Sequence, residues 1–392
     1  MNQGALYNVL KKIKPLVAVV QGVRKLHSRF RLDSWILTGE ERVSGEPITV
    51  FFSGQIENCN YIARIVFREG CYKTRSCKMW SWKVSKLINN VSVPYSLIFL
   101  QTNQVTHNST LRNYSFLIPS WIAGELDVAH ALQCQRGNDS VKTDLRNIRR
   151  NRFTFRVTRK PEEMEKFYYT MYLPYVRQTH GDHAFIATLD ELRREASKRS
   201  ELLLVEQDGK PVAGVYLGIH DHERIDALEL GVMGANRDLV KMGALAAIYY
   251  YSLLHASEGK YKRLFLGGAR PFLNDGPLRY KKKWGLHITG RLHTLPDQFV
   301  FRPCLGSTAV DSFLENNPFV YEEKNAFRVA VFIGAQQEYS DQLIDHIRKA
   351  YCLPGFAGAT VFRIDAGAML ALEGNIAPLT PPDVTLKDAP AA

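Results

Sequence analysis

From residue 153 onward the chain follows an order of elements that few folds accommodate. "FTFRVT" (153–158) alternates apolar or aromatic with polar residues, the period of a half-buried strand. Pro161, Glu162 and Glu163 open a helix, with proline and acids in its first turn. Met164, Phe167, Met171 and Tyr175 line one face of it. Thr188 and Glu191 form a capping box for a second helix, "LDELRREASK". "ELLLVEQ" and "PVAGVYLGI" flank Asp208-Gly209, a two-residue hairpin turn, and "RIDALELGV" is a third strand of the meander. A long helix over about 238–256 follows, then strand "RLFLGG", helix "GPLRYKKKW" and strand "LHITGRLHTL". A meander followed by strand–helix alternation predicts an α/β mixed sheet with helices on its faces.

The flanking regions are less regular. "ITVFFSG" and "PYSLIFLQT" read as strands and "NYIARIVFREG" as a helix between them. The first thirty residues read as a basic amphipathic helix or pair broken at Pro15, with Lys11, Lys12 and Lys14 beside Leu6, Leu10, Ile13 and Val17. Beyond residue 306, "AFRVAVFIG", "YSDQLIDHIRKAY" and "ATVFRI" read as strand, helix, strand. These readings divide the chain into an N-terminal α/β domain (1–138), a central domain (139–300), a C-terminal segment packed on the N-terminal half (301–366) and a loose Pro- and Ala-rich tail (367–392). No internal repeat is visible by eye.

Composition removes several function classes. With 45% hydrophobic and 23% charged residues the chain is globular. No run approaches the roughly 20 apolar residues of a membrane span, and "PLVAVVQGV" lacks a following cleavage site, so a cytoplasmic protein is expected. The six cysteines form no C-x-x-C pair, which argues against structural zinc or a disulfide framework. A formal charge of +12, spread along the chain, favours anionic partners.

The most specific local pattern is "NDGPLRYKKKWG" (274–285). Gly276 precedes the aromatic–lysine pair Tyr280-Lys281, then Trp284-Gly285 follows two residues later. The order of elements over about 140–295 resembles the superfamily that includes the Gcn5-related N-acetyltransferases. The glycine, aromatic–Lys, aromatic–Gly pattern resembles the FemAB-like aminoacyltransferases within it, as does "SVKTDLRNIRRNRFTFRV" upstream. The resemblance implies an acyl-CoA N-acyltransferase fold in a tandem arrangement, with the N-terminal half as a degenerate second copy. It implies a transferase moving an acetyl or aminoacyl group to a small-molecule or cell-envelope amine. The donor would be an acyl-CoA such as acetyl-CoA, or aminoacyl-tRNA, and no metal would be needed. Lys281 would stand near the reacting acyl group, with Tyr280 shaping the site. A fixed ammonium stabilises an oxyanion or holds a phosphate. The plain alternative is a solvated basic helix face, since Lys282 and Lys283 lie roughly 100° and 200° around a helix from Lys281.

Other candidates have similar pairs of readings. Glu229, between leucines on the third meander strand, suits a general base if it is buried, and is an ordinary outward glutamate if it is not. In "YLPYVRQTHGDHAF", Arg177, His180 and His183 are acceptor contacts, or part of a polar turn between helices. Arg270 and Asn274 in "GGARPFLND" are ligand contacts, or simple turn chemistry. "GANRDLVKMGAL" carries Arg237, Gly234 and Gly243 where the acetyltransferases grip a pyrophosphate, but the spacing departs from their pattern. That departure favours the FemAB-like branch. A different class also fits: a non-catalytic basic protein with a degenerate acyltransferase fold, binding RNA or an anionic surface through Arg146, Arg149 and Arg150. The N-terminal basic helix adds peripheral contact with an anionic membrane as an expectation.

Overall fold

The computed structural model describes residues 31–75, 79–80, 94–102, 115–134, 138–181, 186–196, 200–292, 298–365, 367–372 and 374–378. The N-terminal helix expected before residue 31 and most of the tail lie outside these residues. The chain divides into two compact units: residues 1–117, 297–313 and 366–368, and residues 118–296, 314–365 and 369–392.

In the first unit, β1 (Arg31–Glu40) and β2 (Pro47–Gly54) form an antiparallel pair, and α1 (Ile56–Val66) follows. β3 (Tyr72–Arg75) and β4 (Met79–Trp80) both pair with β1, and β5 (Leu97–Thr102) lies parallel to β2. β14 (Gln298–Pro303) comes from much later in the chain and pairs antiparallel with β5. The order is β3-β1-β2-β5-β14, and then β6 (Phe116–Pro119), whose first two residues belong to this unit. Phe52, Phe99, Phe299 and Phe301 are fully buried on this sheet, with Phe99 and Phe301 stacked at 4.5 Å. The β1 strand, "RLDSWILTGE", escapes a simple reading because its polar residues break the alternation.

The second unit opens with β7 (Ile122–Asp127), α2 (Val128–Cys134) and α3 (Asp139–Arg150). β8 (Thr154–Thr158) leads to α4 (Pro161–Phe167), a π-helical turn (Tyr168–Tyr172), α5 (Leu173–His180) and α6 (Leu189–Ala196). The meander is β9 (Ser200–Gln207), β10 (Lys210–Ile219) and β11 (Arg224–Val232). After it come α7 (Arg237–Met242), α8 (Ala244–Glu258), β12 (Arg263–Ala269), α9 (Gly276–Lys283) and β13 (His287–Arg291). The capping box forms: Thr188 N donates to Glu191 Oε2 and Glu191 N to Thr188 Oγ1. The hairpin turn has positive φ at both Asp208 and Gly209, as a type I′ turn requires. The long helix is instead two, because Gly243 takes φ 105 between α7 and α8.

The sheet of this unit runs β13-β7-β12-β11-β10-β9-β8. It contains β7, which the sequence reading left in an N-terminal domain ending at residue 138. The two sheets share a pattern: the parallel pairs β2/β5 and β11/β12 are each followed by an antiparallel strand from a distant part of the chain. β7 follows β6 in sequence and completes the second sheet, while β14 follows β13 and completes the first.

After α10 (Thr308–Asn316) a four-stranded sheet forms from β15 (Phe319–Glu323), β16 (Ala326–Gly334), β17 (Ala359–Asp365) and β18 (Ala368–Ala371). α11 (Asp341–Tyr351) connects β16 to β17. The expected packing of 301–366 on the N-terminal half is corrected for residues 314–365, which belong to the second unit. Val320, Val329, Val331 and Ile347 share one buried cluster with Ile122, Leu264 and Trp284.

Candidate active site

β11 and β12 are parallel neighbours for three residue pairs, ending at Asp226↔Phe265. Both strands then run on, to Val232 and Ala269, without further mutual pairing. Two irregularities accompany the end of the ladder. On β11, Leu228 is an extra residue between Ala227, opposite Leu217, and Glu229, opposite Tyr216. On β12 the register against β7 shifts between Phe265 and Gly268, and Gly267 takes φ 69. Bulges re-aim side chains and end pairing. Two parallel strands that stop pairing leave backbone N–H and C=O groups facing a gap, where they can bind a ligand.

Glu229 stands beside this gap, one residue past the bulge. It is half-buried. Burial pushes its carboxyl up to about 7, opposed by a hydrogen bond with the Tyr172 side chain. The Tyr172 hydroxyl also accepts from Ala187 N at 2.9 Å, which ties the π-helical turn to the segment entering α6. Gly231 permits this arrangement. A Cβ at Gly231 would lie 2.4 Å from Met171 C and 2.5 Å from Tyr172 N, so the turn rests directly on the strand. π-helical turns are rare and frequent at functional sites. Tyr216, opposite Glu229, is buried, with its hydroxyl 2.6 Å from Ser200 Oγ and 2.9 Å from Leu192 O.

The three lysines of "YKKKWG" separate completely. Lys281 is buried, and its Nζ donates to Leu266 O at 2.6 Å and Gly268 O at 2.8 Å. Both carbonyls are on β12 beyond its last pair with β11. Burial lowers the Lys281 ammonium to about 8. Lys282 Nζ donates to Lys349 O at 2.7 Å and Ala350 O at 2.5 Å, in the last turn of α11. Lys283 pairs with Asp144 of α3 and sits 3.8 Å from the Tyr280 ring centroid. None of the three is a simple solvated charge. Tyr280 packs edge-on to Tyr249 at 5.1 Å, and burial raises its hydroxyl well above the usual tyrosine range.

The other expected residues are dispersed. Arg177 is exposed on the last turn of α5, His180 ends that helix, and His183 lies outside the described residues. Arg270 is buried, with its guanidinium 3.9 Å over the Trp121 ring and Nη1 3.3 Å from Ser120 O. Asn274 Nδ2 donates to Asn316 O at 2.9 Å. Gly234, at φ 55, and Arg237 are exposed. Gly243 is buried, and a Cβ there would lie 3.2 Å from Asn147 Cβ of α3. The first free donors of α7, Asp238 N and Leu239 N, already bond Asn236 Oδ1. Arg237, Gly234 and Gly243 therefore do not converge on one cradle. Among the described residues no three His, Cys, Asp or Glu side chains gather as metal ligands.

Tyr172, Gly231 and the bulge at Leu228 were not singled out from the sequence. The one available signal was a glycine two residues after a strand glutamate, in "LELGV".

No family model matches this chain, and no curated protein matches it in sequence. Solved structures of similar arrangement include the C-terminal domain of a putative lysylphosphatidylglycerol synthetase from Agrobacterium fabrum. It is 14% identical, with TM-score 0.33, over 68% of this chain and 80% of that one. A GCN5-related N-acetyltransferase from Kribbella flavida is 14% identical, with TM-score 0.26, over 73% and 93%. A tandem GNAT protein from the clavulanic acid biosynthesis pathway is 10% identical, with TM-score 0.27, over 70% and 82%. Superposition is partial in each case.

Proposed function

We propose that this protein is an N-acyltransferase that moves an acyl group from a thioester or ester donor to an amine, with Glu229 as the general base. The observation that carries this reading is Glu229 itself: a carboxyl raised to about 7, beside the gap where β11 and β12 stop pairing. A base of that pKa is ionised and still basic near neutral pH. The acyl carbonyl would lie in the gap against unpaired strand amides, which stabilise an oxyanion without reorganisation. The amine nitrogen attacks the carbonyl carbon, the C–N bond forms, and the donor's sulfur or oxygen leaves. Glu229 takes the proton the amine must lose.

Lys281 has a supporting part here. Its ammonium is committed to Leu266 O and Gly268 O, so it holds the β12 wall of the gap rather than meeting the oxyanion as the resemblance implied. Tyr280 supports the helix that carries it, through Tyr249 and Lys283. The finer reading is a FemAB-like branch, in which acyl-CoA or aminoacyl-tRNA is the donor and a small or cell-envelope amine the acceptor. The dispersal of Arg237, Gly234 and Gly243 supports a donor held otherwise than by a pyrophosphate cradle at α7.

Incubating the full chain with acetyl-CoA, longer acyl-CoAs or charged tRNA and a panel of amines, with mass-spectrometric detection of transfer, tests the reading. Transfer that is lost in Glu229→Gln supports it. Transfer undiminished in Glu229→Gln overturns the assignment of the base. A second reading rests on α3, where Arg146, Arg149 and Arg150 are exposed and make no ion pair among the described residues. Such a face suits a phosphate backbone, and its binding would fall steeply with salt.

A further inference from the structure

A cavity of about 390 Å³ opens between α9 and α11 within the second unit. Volumes of about 300–1,000 Å³ are typical of small-molecule sites. Its lining brings together Arg279 and Lys282 of α9 and His346 of α11. Arg279 and Lys282 are three residues apart on a helix and so share one strip of its surface. Lys281 leaves the same helix about 100° away to reach β12, so this strip is separate from the gap described above.

The charge here is one-sided. No carboxylate lines the cavity. Asp345, on the same helix as His346, is taken up by Arg348 at 2.6 Å. Arg279 is exposed and makes no ion pair among the described residues. Lys282 is anchored by the carbonyls of Lys349 and Ala350, which fix its ammonium at the cavity wall. Burial lowers its pKa, Cys352 opposes that shift, and the nearby Arg279 charge adds a smaller lowering. Two like charges held together without a counter-ion repel, and a bound anion removes that repulsion. The guanidinium fork suits two oxygens of a phosphate, and the lysine adds a point charge. The rest of the wall is apolar: Leu278, Leu353 and the ring of Tyr351. A bare anion would leave that surface unmatched.

We propose that the cavity between α9 and α11 is a binding site for a small organic phosphate, a phosphate or diphosphate carried on a compact apolar or ring body. Arg279 and Lys282 hold the phosphate, and Tyr351 with the leucines covers the body. The site is independent of the acyl-transfer reading and stands or falls without it.

Titration calorimetry on the full chain tests it, with ADP, pyrophosphate and inorganic phosphate as probes at about 0.1 M salt. ADP is expected to bind more tightly than pyrophosphate, and pyrophosphate more tightly than phosphate. Arg279→Gln should weaken ADP at least tenfold. Lys210→Gln, which removes the same charge from an exposed position at the start of β10, should leave binding unchanged and so exclude a general effect of net charge. No binding of ADP or pyrophosphate to the wild-type chain overturns the proposal. So does equal affinity in Arg279→Gln and wild type, or equal weakening by Lys210→Gln. Equal affinity for ADP and pyrophosphate overturns the organic body.

Discussion

The Lys281 ammonium lies 2.6 Å from the carbonyl oxygen of Leu266, a backbone group on β12 just beyond that strand's last pair with β11. A lysine that looks like surface charge in sequence is a buried clamp on a strand edge. Replacing it with methionine keeps the bulk and leaves two carbonyls without donors. An unmet buried acceptor costs about 1–3 kcal/mol, so Lys281→Met should lower the melting temperature by several degrees at pH 7. The deficit should grow with pH. The folded pKa, about 8, is below the unfolded one. Between the two the unfolded chain binds more protons, so wild-type stability rises with pH relative to the variant. Thermal unfolding of both proteins at pH 7, 8 and 9.5 checks this, and a constant difference would refute the depressed pKa.

Glu229→Gln should reduce transfer by about 10²–10⁴-fold, the usual contribution of a general base. The wild-type kcat/KM should climb with pH to a plateau above about 7, where the carboxyl is ionised, and the variant should lose that limb. Stability should move the opposite way. The carboxyl has a folded pKa above its unfolded one, so its contribution is fully present below the unfolded value and is lost as pH rises through about 7. Glu229→Gln should therefore be more stable than wild type at pH 8 and lose that advantage at pH 4. Paired melting curves decide it.

Tyr172→Phe removes the hydroxyl that opposes the upward shift of Glu229. The pH limb of kcat/KM should shift to higher pH with only a modest fall in its plateau. A fall in activity with an unmoved limb would show that Tyr172 acts through the segment it anchors at Ala187 and not through the carboxyl.

Gly231→Ala should be among the most damaging single-methyl additions in the chain. The new carbon would fall 2.4–2.6 Å from backbone atoms of Met171 and Tyr172, which cannot move aside like a side chain. Overpacking of this kind costs about 1–3 kcal/mol or more. Circular dichroism melting should show the loss, and transfer activity should fall with it because the turn that carries Tyr172 is displaced.

Much of the second unit was legible because its signals are local. The Asp208-Gly209 turn, the Thr188–Glu191 box and the apolar run of "ELLLVEQ" act over a few residues, and each forms as read. The site was legible only in part. Glu229 could be found because an acid between leucines in an otherwise apolar strand segment is anomalous. Lys281 could be found as a residue but not as a role, because its partners are backbone carbonyls contributed by a strand more than ten positions earlier. Tyr172 and Gly231 belong to a contact between a turn and a strand far apart in the chain, and no sequence period encodes it. The same reason hid β7: "IAGELD" has the length and alternation of a modest strand, and nothing nearby says which sheet it joins.

The reciprocal placing of β7 and β14 has a consequence for how the protein is made. On the ribosome, β5 is finished at residue 102, but the strand that covers its free side starts at residue 298. At roughly 5–20 residues per second that interval is about 10–40 s. For that time the sheet carrying Phe99 has an uncovered edge, the kind of surface that recruits stray strands. The newborn chain therefore has to wait for its own last third before its first third is closed, and a gene cut between residues 117 and 118, where the two units first divide, would leave the first fragment without β14.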